Sequence, residues 1–110
     1  MSTRPGTTEF ILEKLRDYDR FSVLKMFGEY ALYADGKVVG LICDDILFVK
    51  ILPASIELES QCEKGIPYHN AKPWYIVEEG ELTKIESLRE ILFALAASIP
   101  AKKKKIKKKS

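Results

Sequence analysis

The sequence has little cysteine and histidine, and it lacks the spacings with which these residues bind metals. Its 110 residues include two cysteines, Cys43 and Cys62, and a single histidine, His69. No Cys-x-x-Cys or His-x-x-x-His pair occurs, and no calcium-loop pattern of acidic residues and glycine is present. We therefore expect no metal and no cofactor. Both thiols are expected to have structural roles, because buried cysteines act mostly as small hydrophobic residues.

Long hydrophobic runs and a secretory segment are also missing. The longest apolar run is about seven residues, far below the length that crosses a bilayer. The first residues, Met-Ser-Thr-Arg-Pro-Gly, lack the apolar region of a signal peptide. We therefore expect a cytoplasmic protein that does not contact membranes. The 46% hydrophobic and 31% charged residues are typical of a globular domain with a core of its own.

The net charge of +2 conceals two parts of opposite sign. Residues 1–100 contain 11 lysines and arginines against 16 acidic residues, and the remaining seven lysines all lie in residues 101–110. We predict a single domain over 1–100 and a disordered tail over 101–110. Such a tail can bind nucleic acid without sequence preference, or raise solubility, or contact the acidic body. The candidate nucleic-acid residues are Lys102, Lys103, Lys104, Lys105, Lys107, Lys108 and Lys109.

The first half of the sequence predicts a helix followed by four strands. Thr7-Thr8-Glu9 is typical of a helix start, and Ile11, Leu15 and Tyr18 recur at helical spacing. A strand is expected over 21–27, and Gly28 marks a bulge or a sharp connection. Asp35-Gly36 favours a two-residue turn between strands, and Asp44-Asp45 is a weaker signal of the same kind.

These two turns predict strand pairing and two sheet faces. The predicted pairs are Ala34–Lys37, Leu32–Val39, Ala31–Gly40, Tyr30–Leu41, Cys43–Ile46, Leu41–Phe48 and Gly40–Val49. We expect the helices to cover the face formed by Ala31, Tyr33, Val38, Gly40, Ile42, Leu47, Val49 and Ile51. The opposite face would hold Tyr30, Leu32, Val39, Leu41, Cys43, Ile46 and Phe48. Because this second face is also apolar, it needs a cover. We predict an interface with a partner subunit at Tyr30, Leu32, Leu41 and Phe48.

The second half predicts a helix, a strand and a final helix. Pro53 begins a short helix that ends near Gly65, and a loop rich in Gly, Pro and Asn follows. Trp74–Val77 is expected to be an edge strand, because Pro73 precedes it. Thr83-Lys-Ile-Glu86 has the form of a capping box. The helix that follows carries an apolar stripe formed by Ile85, Leu88, Ile91, Leu92, Leu95 and Ile99, and it ends at Pro100. The predicted fold is α+β with two layers, an antiparallel β-meander with helices packed on one face, in the order α-β-β-β-β-α-β-α.

None of the motifs indicates an active site. Asp44 and Asp45 fit turn chemistry better than paired catalytic carboxylates, and the glycines do not form a phosphate-binding loop. The aromatic residues of the strands lack the interleaved basic residues that nucleic-acid stacking requires. A pairing of His69 with a cysteine is arithmetically possible but has no signature context. An enzyme or ligand-binding domain with a pocket near Tyr68, His69 and Trp74 remains the alternative.

The strand-rich block resembles a known family. Met26-Phe-Gly-Glu-Tyr-Ala-Leu-Tyr33, Asp35-Gly36-Lys37, Leu41-Ile-Cys-Asp-Asp45 and Leu47-Phe-Val-Lys50 are similar to the hallmark run of the N-terminal domain of the TfoX/Sxy competence regulators. The strand Trp74-Tyr-Ile-Val-Glu78 is similar too, and the resemblance covers roughly residues 8–99. Glu29 and Ala31 stand where the family usually has more glycine.

The resemblance implies a bacterial regulator that acts with a transcription factor. It brings no catalytic residues to this sequence, and we expect the second, C-terminal domain of the best-known members to be missing here. We therefore predict a non-enzymatic regulatory and protein-interaction domain. Its expected partners are a protein of the transcription machinery, a second copy of the chain and, through the tail, nucleic acid.

Overall fold

Six antiparallel strands form one open sheet in a computed structural model that describes residues 4–16, 19–26, 29–82 and 87–100. The strands lie in the order β1-β2-β3-β4-β6-β5. The elements are α1 (Pro5–Leu15), β1 (Phe21–Met26), β2 (Glu29–Ala34), β3 (Lys37–Cys43), β4 (Ile46–Val49), a first 3-10 helix (Pro53–Ser60), β5 (Lys64–Gly65), β6 (Trp74–Val77), a second 3-10 helix (Glu79–Glu81) and α2 (Leu88–Ser98). The predicted α+β fold and its element order are confirmed.

Helix α1 begins three residues earlier than a cap at Thr7 predicts, since the residue at the N-cap is Arg4. Pro5 occupies the first turn, where a residue without a backbone N–H leaves no donor unsatisfied. Thr7 does not cap the helix, because its hydroxyl donates to Asp45 Oδ1 at 2.7 Å. The backbone N–H of Arg4 donates to the same oxygen at 2.9 Å. The β3–β4 turn therefore supplies the carboxylate that holds the start of α1.

Both predicted turns form, and they determine the local strand pairing. The backbone φ angles are +53° and +82° at Asp35 and Gly36, and +53° and +64° at Asp44 and Asp45, as a type I′ turn requires. The guanidinium of Arg20 forms two hydrogen bonds with the Asp35 carboxylate, at 2.8 and 2.7 Å. The predicted Ala34–Lys37 pair and the predicted β3–β4 pairs are confirmed.

A β-bulge between β2 and β3 makes the other predicted pairs wrong. The register shifts between Leu32 and Tyr33, so Leu32 lies opposite Gly40 rather than Val39. One extra residue on a strand reverses the faces of everything beyond it. The observed pairs beyond the bulge are Leu32–Gly40, Ala31–Leu41 and Tyr30–Ile42.

The helices cover one face of the sheet, as predicted, but with a corrected set of strand residues. Leu32 and Val39 are fully buried on this side, together with Ile42, Leu47 and Val49. The expectation that Ala31, Tyr33 and Val38 face the helices is wrong, since these residues belong to a separate apolar cluster. The helices contribute Ile11, Leu15, Leu58, Leu88, Ile91, Leu92, Leu95 and Ala96 to the core.

The second half differs from its prediction in two details. The Pro53 helix is a 3-10 helix, and the hydroxyl of the buried Ser55 lies 2.7 Å from the Lys50 carbonyl oxygen and accepts from the Leu52 N–H at 3.1 Å. Strand β6 is not the edge of the sheet, because the two-residue β5 pairs with it on the side away from β4. The predictions for Tyr18, Gly28 and the capping box at 83–86 fall outside the described residues.

Candidate functional site

The sheet face that points away from the helices is the candidate site, and we call it the outer face. Its cluster is built on Ala31, Leu41, Cys43 and Phe48, which are buried although none of the described helices covers them. Partly buried neighbours surround these four residues: Met26, Tyr33, Val38, Ile46, Trp74 and Ile76. An antiparallel sheet commonly leaves its second face polar and solvated. An apolar outer face is therefore a feature that needs an explanation.

A continuous apolar row crosses the outer face from β1 to β6. The strand registers place Leu24 opposite Ala31, Ala31 opposite Leu41, Leu41 opposite Phe48 and Phe48 opposite Ile76. Residues directly opposite each other share a face. The row ends at β1, the open edge of the sheet, where Leu24 is 56% exposed. Unpaired strand edges with exposed apolar side chains are templates for association with another chain.

A cavity of about 600 Å³ lies on the outer face beneath the segment between β5 and β6. Its walls are mainly apolar, and Trp74 and Leu41 form part of them. Pro67 and Tyr68 of the connecting segment also line the cavity, and the side chains of Tyr68 and the nearby Ile66 are more than half exposed. The remaining lining residues are Met26, Glu29, Tyr30, Val38, Cys43 and Lys50.

The four residues of the predicted interface do not share one face. Leu41 and Phe48 lie together on the outer face. Leu32 is fully buried in the core under the helices, because the bulge reverses its side. Tyr30 packs partly against that core and also lines the outer cavity. The prediction that Leu32 lies on the face without helices is therefore wrong. Contact of Tyr30, Leu41 and Phe48 with a partner stays a prediction.

The two cysteines are poor nucleophiles: Cys43 belongs to the outer-face cluster, and Cys62 packs against the core on the helix side. Burial and the nearby carboxylate of Glu29 raise the pKa of the Cys43 thiol to about 11. Burial likewise raises the pKa of Cys62 to about 11. Reactive cysteines need a lowered pKa, so both thiols are protonated at neutral pH.

The pocket of the alternative prediction exists, but its chemistry is different. Tyr68 and Trp74 line the cavity, whereas His69 is exposed and is not among the lining residues. The single carboxylate in the lining, Glu29, therefore has no histidine beside it. No group of three metal-binding side chains converges within the part of the chain that the structure describes. None of the described helices has the length and apolar character needed to cross a membrane.

The seven lysines of the tail, at 102–105 and 107–109, fall outside the described residues, so their role stays a prediction. Two side chains of the site were missed by reasoning from the sequence. Leu24 was missed although strand alternation places it on the same side of β1 as Ser22 and Met26. Lys50 was missed because its position beside Trp74 depends on the β4–β6 pairing.

Comparison with known proteins points to a family. A family model described as the TfoX N-terminal domain matches residues 13–97. The chain is also 34% identical over 103 residues to a Spirochaeta aurantia protein described as "Uncharacterized 12.7 kDa protein in trpE 5'region". That match covers 94% of this chain and 89% of the relative.

Proposed function

Because the chain belongs to the TfoX N-terminal domain family, we propose that it is a non-enzymatic regulatory domain that binds a protein partner through its outer face. The observation that carries the proposal is the apolar row from Leu24 to Ile76, on a face that no helix covers within the residues that the structure describes. Ala31, Leu41 and Phe48 of this row are buried, but its end at Leu24 is 56% exposed, and an exposed apolar side chain on an open strand edge is a place where another chain can associate.

The first partner that we propose is a second copy of the chain. Strand β1 is an edge strand of six residues, and the opposite edge is shortened to the two residues of β5. The exposed Leu24 therefore sits where a second sheet can extend the apolar row. A further partner within the transcription machinery, and a cytoplasmic location, are proposed from the resemblance to competence regulators.

Self-association is tested by light scattering after size exclusion, at protein concentrations of tens of micromolar. The wild-type chain is expected to show twice its monomer mass of 12.5 kDa. Leu24→Glu places a charge in the row and is expected to give a monomer. Ile56→Glu is the matched control, because Ile56 is equally apolar and 63% exposed but lies in the first 3-10 helix. A wild-type monomer, or equal masses for the two variants, contradicts the proposal.

We also propose that the tail adds weak, sequence-independent affinity for nucleic acid. Each phosphate contact releases counterions, so such binding weakens steeply as salt increases. The test compares the wild-type chain with a variant that has glutamine at all seven tail lysines, over a series of salt concentrations. Salt-sensitive DNA binding that is lost in the variant supports nucleic-acid binding by the tail, and equal binding by both chains contradicts it.

A further inference from the structure

The outer cavity has the dimensions of a small-molecule site. Its volume of about 600 Å³ lies within the range of roughly 300–1,000 Å³ found for ligand pockets. Leu41, Val38, Met26 and Trp74 supply apolar and aromatic wall, and the Cys43 thiol is uncharged because its pKa is raised to about 11. A ligand that fills this space needs an apolar body.

The two charged side chains of the cavity lie at opposite ends of it. Tyr30 pairs with Ile42, so the preceding residue, Glu29, lies beside Cys43 at the end where β4 begins. Lys50 follows the last residue of β4, four positions beyond Ile46. Those four residues span roughly 13 Å at about 3.3 Å per residue. A ligand held at the Lys50 end therefore keeps its headgroup away from the Glu29 carboxylate.

Lys50 is the charged group that is available to a ligand. Glu29 is already engaged in a polar or electrostatic contact. Within the described part of the chain, by contrast, the Lys50 ammonium takes part in no ion pair and no side-chain hydrogen bond. Its backbone carbonyl is held by Ser55, which fixes the point from which the side chain extends.

From this arrangement we infer that the outer cavity binds a small amphipathic carboxylate, with its hydrocarbon body against Leu41 and Trp74 and its carboxylate on Lys50. A charge-assisted hydrogen bond from an ammonium to a carboxylate is stronger than one between neutral groups. Burial of the ligand's apolar body, which removes its surface from water, adds to the binding free energy. The inference goes beyond the proposed partner contact and does not depend on it.

The test uses decanoate as the probe and the fluorescence of Trp74, the single tryptophan of the chain, as the signal. Titrating the full chain with decanoate is expected to give a saturable change, at concentrations below those at which the probe forms micelles. Decanol, which has the same chain length and no charge, is expected to bind more weakly.

Three variants locate the headgroup. Lys50→Gln is expected to weaken decanoate binding about fivefold to tenfold, since the lysine is only half-buried, and to leave decanol binding unchanged. Lys50→Arg is expected to retain most of the decanoate affinity. Lys14→Gln is the control for a change in total charge, because Lys14 is exposed to solvent on α1. This variant is expected to bind decanoate as the wild-type chain does.

Two results overturn the inference: no saturable change with decanoate, or equal decanoate affinity in the wild-type chain and the Lys50→Gln variant. Failure of this inference and failure of the proposed function are distinguishable, because fluorescence reads ligand binding and light scattering reads the mass of the particle. A monomeric chain that binds decanoate through Lys50 removes the self-association proposal and retains the ligand site.

Discussion

Replacing Gly40 with alanine adds a methyl group at a position where β3 lies close to the backbone of β4. An ideal Cβ at this position stands 2.7 Å from the carbonyl oxygen of Phe48 and 3.3 Å from Cδ1 of Leu47. Because the first of these atoms belongs to the backbone, it cannot rotate away as a flexible side chain does. The alanine therefore forces β3 and β4 apart next to the bulge.

The expected magnitude follows from two opposing terms. Alanine in place of glycine reduces the entropy of the unfolded chain and by itself stabilises a protein by about 0.4–1 kcal/mol. Overpacking a filled site costs about 1–3 kcal/mol. With both terms at the middle of their ranges, the net effect of Gly40→Ala is a loss of about 1.3 kcal/mol in the free energy of unfolding. In a domain of this size that loss lowers the melting temperature by roughly 5–10 °C.

Urea unfolding followed by circular dichroism measures the difference directly. Gly6→Ala is the control, because nothing lies within 4 Å of the added carbon in α1. That change is expected to stabilise the chain by about 0.5–1 kcal/mol, since glycine weakens a helix. Opposite signs for the two variants support the strand register. A Gly40→Ala variant as stable as the wild type refutes the close approach.

Three further predictions concern buried and charged groups. Ser55→Ala is expected to lower the free energy of unfolding in urea by about 1–3 kcal/mol, because it removes hydrogen bonds to Lys50 and Leu52 from a buried site. Ser60→Ala is the control, because Ser60 is exposed, and it is expected to change the stability little. Equal stabilities of the two variants refute this prediction. The hydrogen bond from Arg20 lowers the pKa of Asp35, and that from the Arg4 backbone lowers the pKa of Asp45. Since the unfolded value is about 3.9, stability is expected to hold above about pH 5 and to fall below about pH 4, and an acid-insensitive melting temperature contradicts the assignment. Burial raises the pKa of both thiols to about 11. At neutral pH we therefore expect alkylation of the thiols to be more than about a hundredfold faster in guanidinium than in the native state. Equal alkylation rates in the two states contradict the burial of the thiols.

The turns, the helix side of β4 and the end of β3 next to the Asp44-Asp45 turn are readable from the sequence, because they depend on local chemistry. Asp35-Gly36 and Asp44-Asp45 adopt the positive φ angles that their residue types tolerate, and the pairs next to them follow. The bulge is not readable in this way, since simple alternation carries no sign of one extra residue. Leu32 was therefore placed on the wrong face, and Gly40 alone marks the crowded position.

The candidate site is predictable only in part for a similar reason. The Asp44-Asp45 turn alone sets the pairing of Leu41 with Phe48, with no bulge between them, so their shared face was predicted correctly. The cavity needs the pairing of β4 with β6 and the position of Pro67 and Tyr68. These are contacts between distant parts of the chain, and no local pattern encodes them.

The central claim, that the outer face is the surface through which the domain associates, is tested most directly by amide hydrogen exchange at two protein concentrations. Peptides covering β1 and residues 66–74 are expected to exchange more slowly at the higher concentration, because these segments border the apolar row and its cavity. Peptides from the first 3-10 helix are expected to exchange at the same rate in both samples. Protection that is confined to that helix, or no dependence on concentration anywhere, contradicts the account.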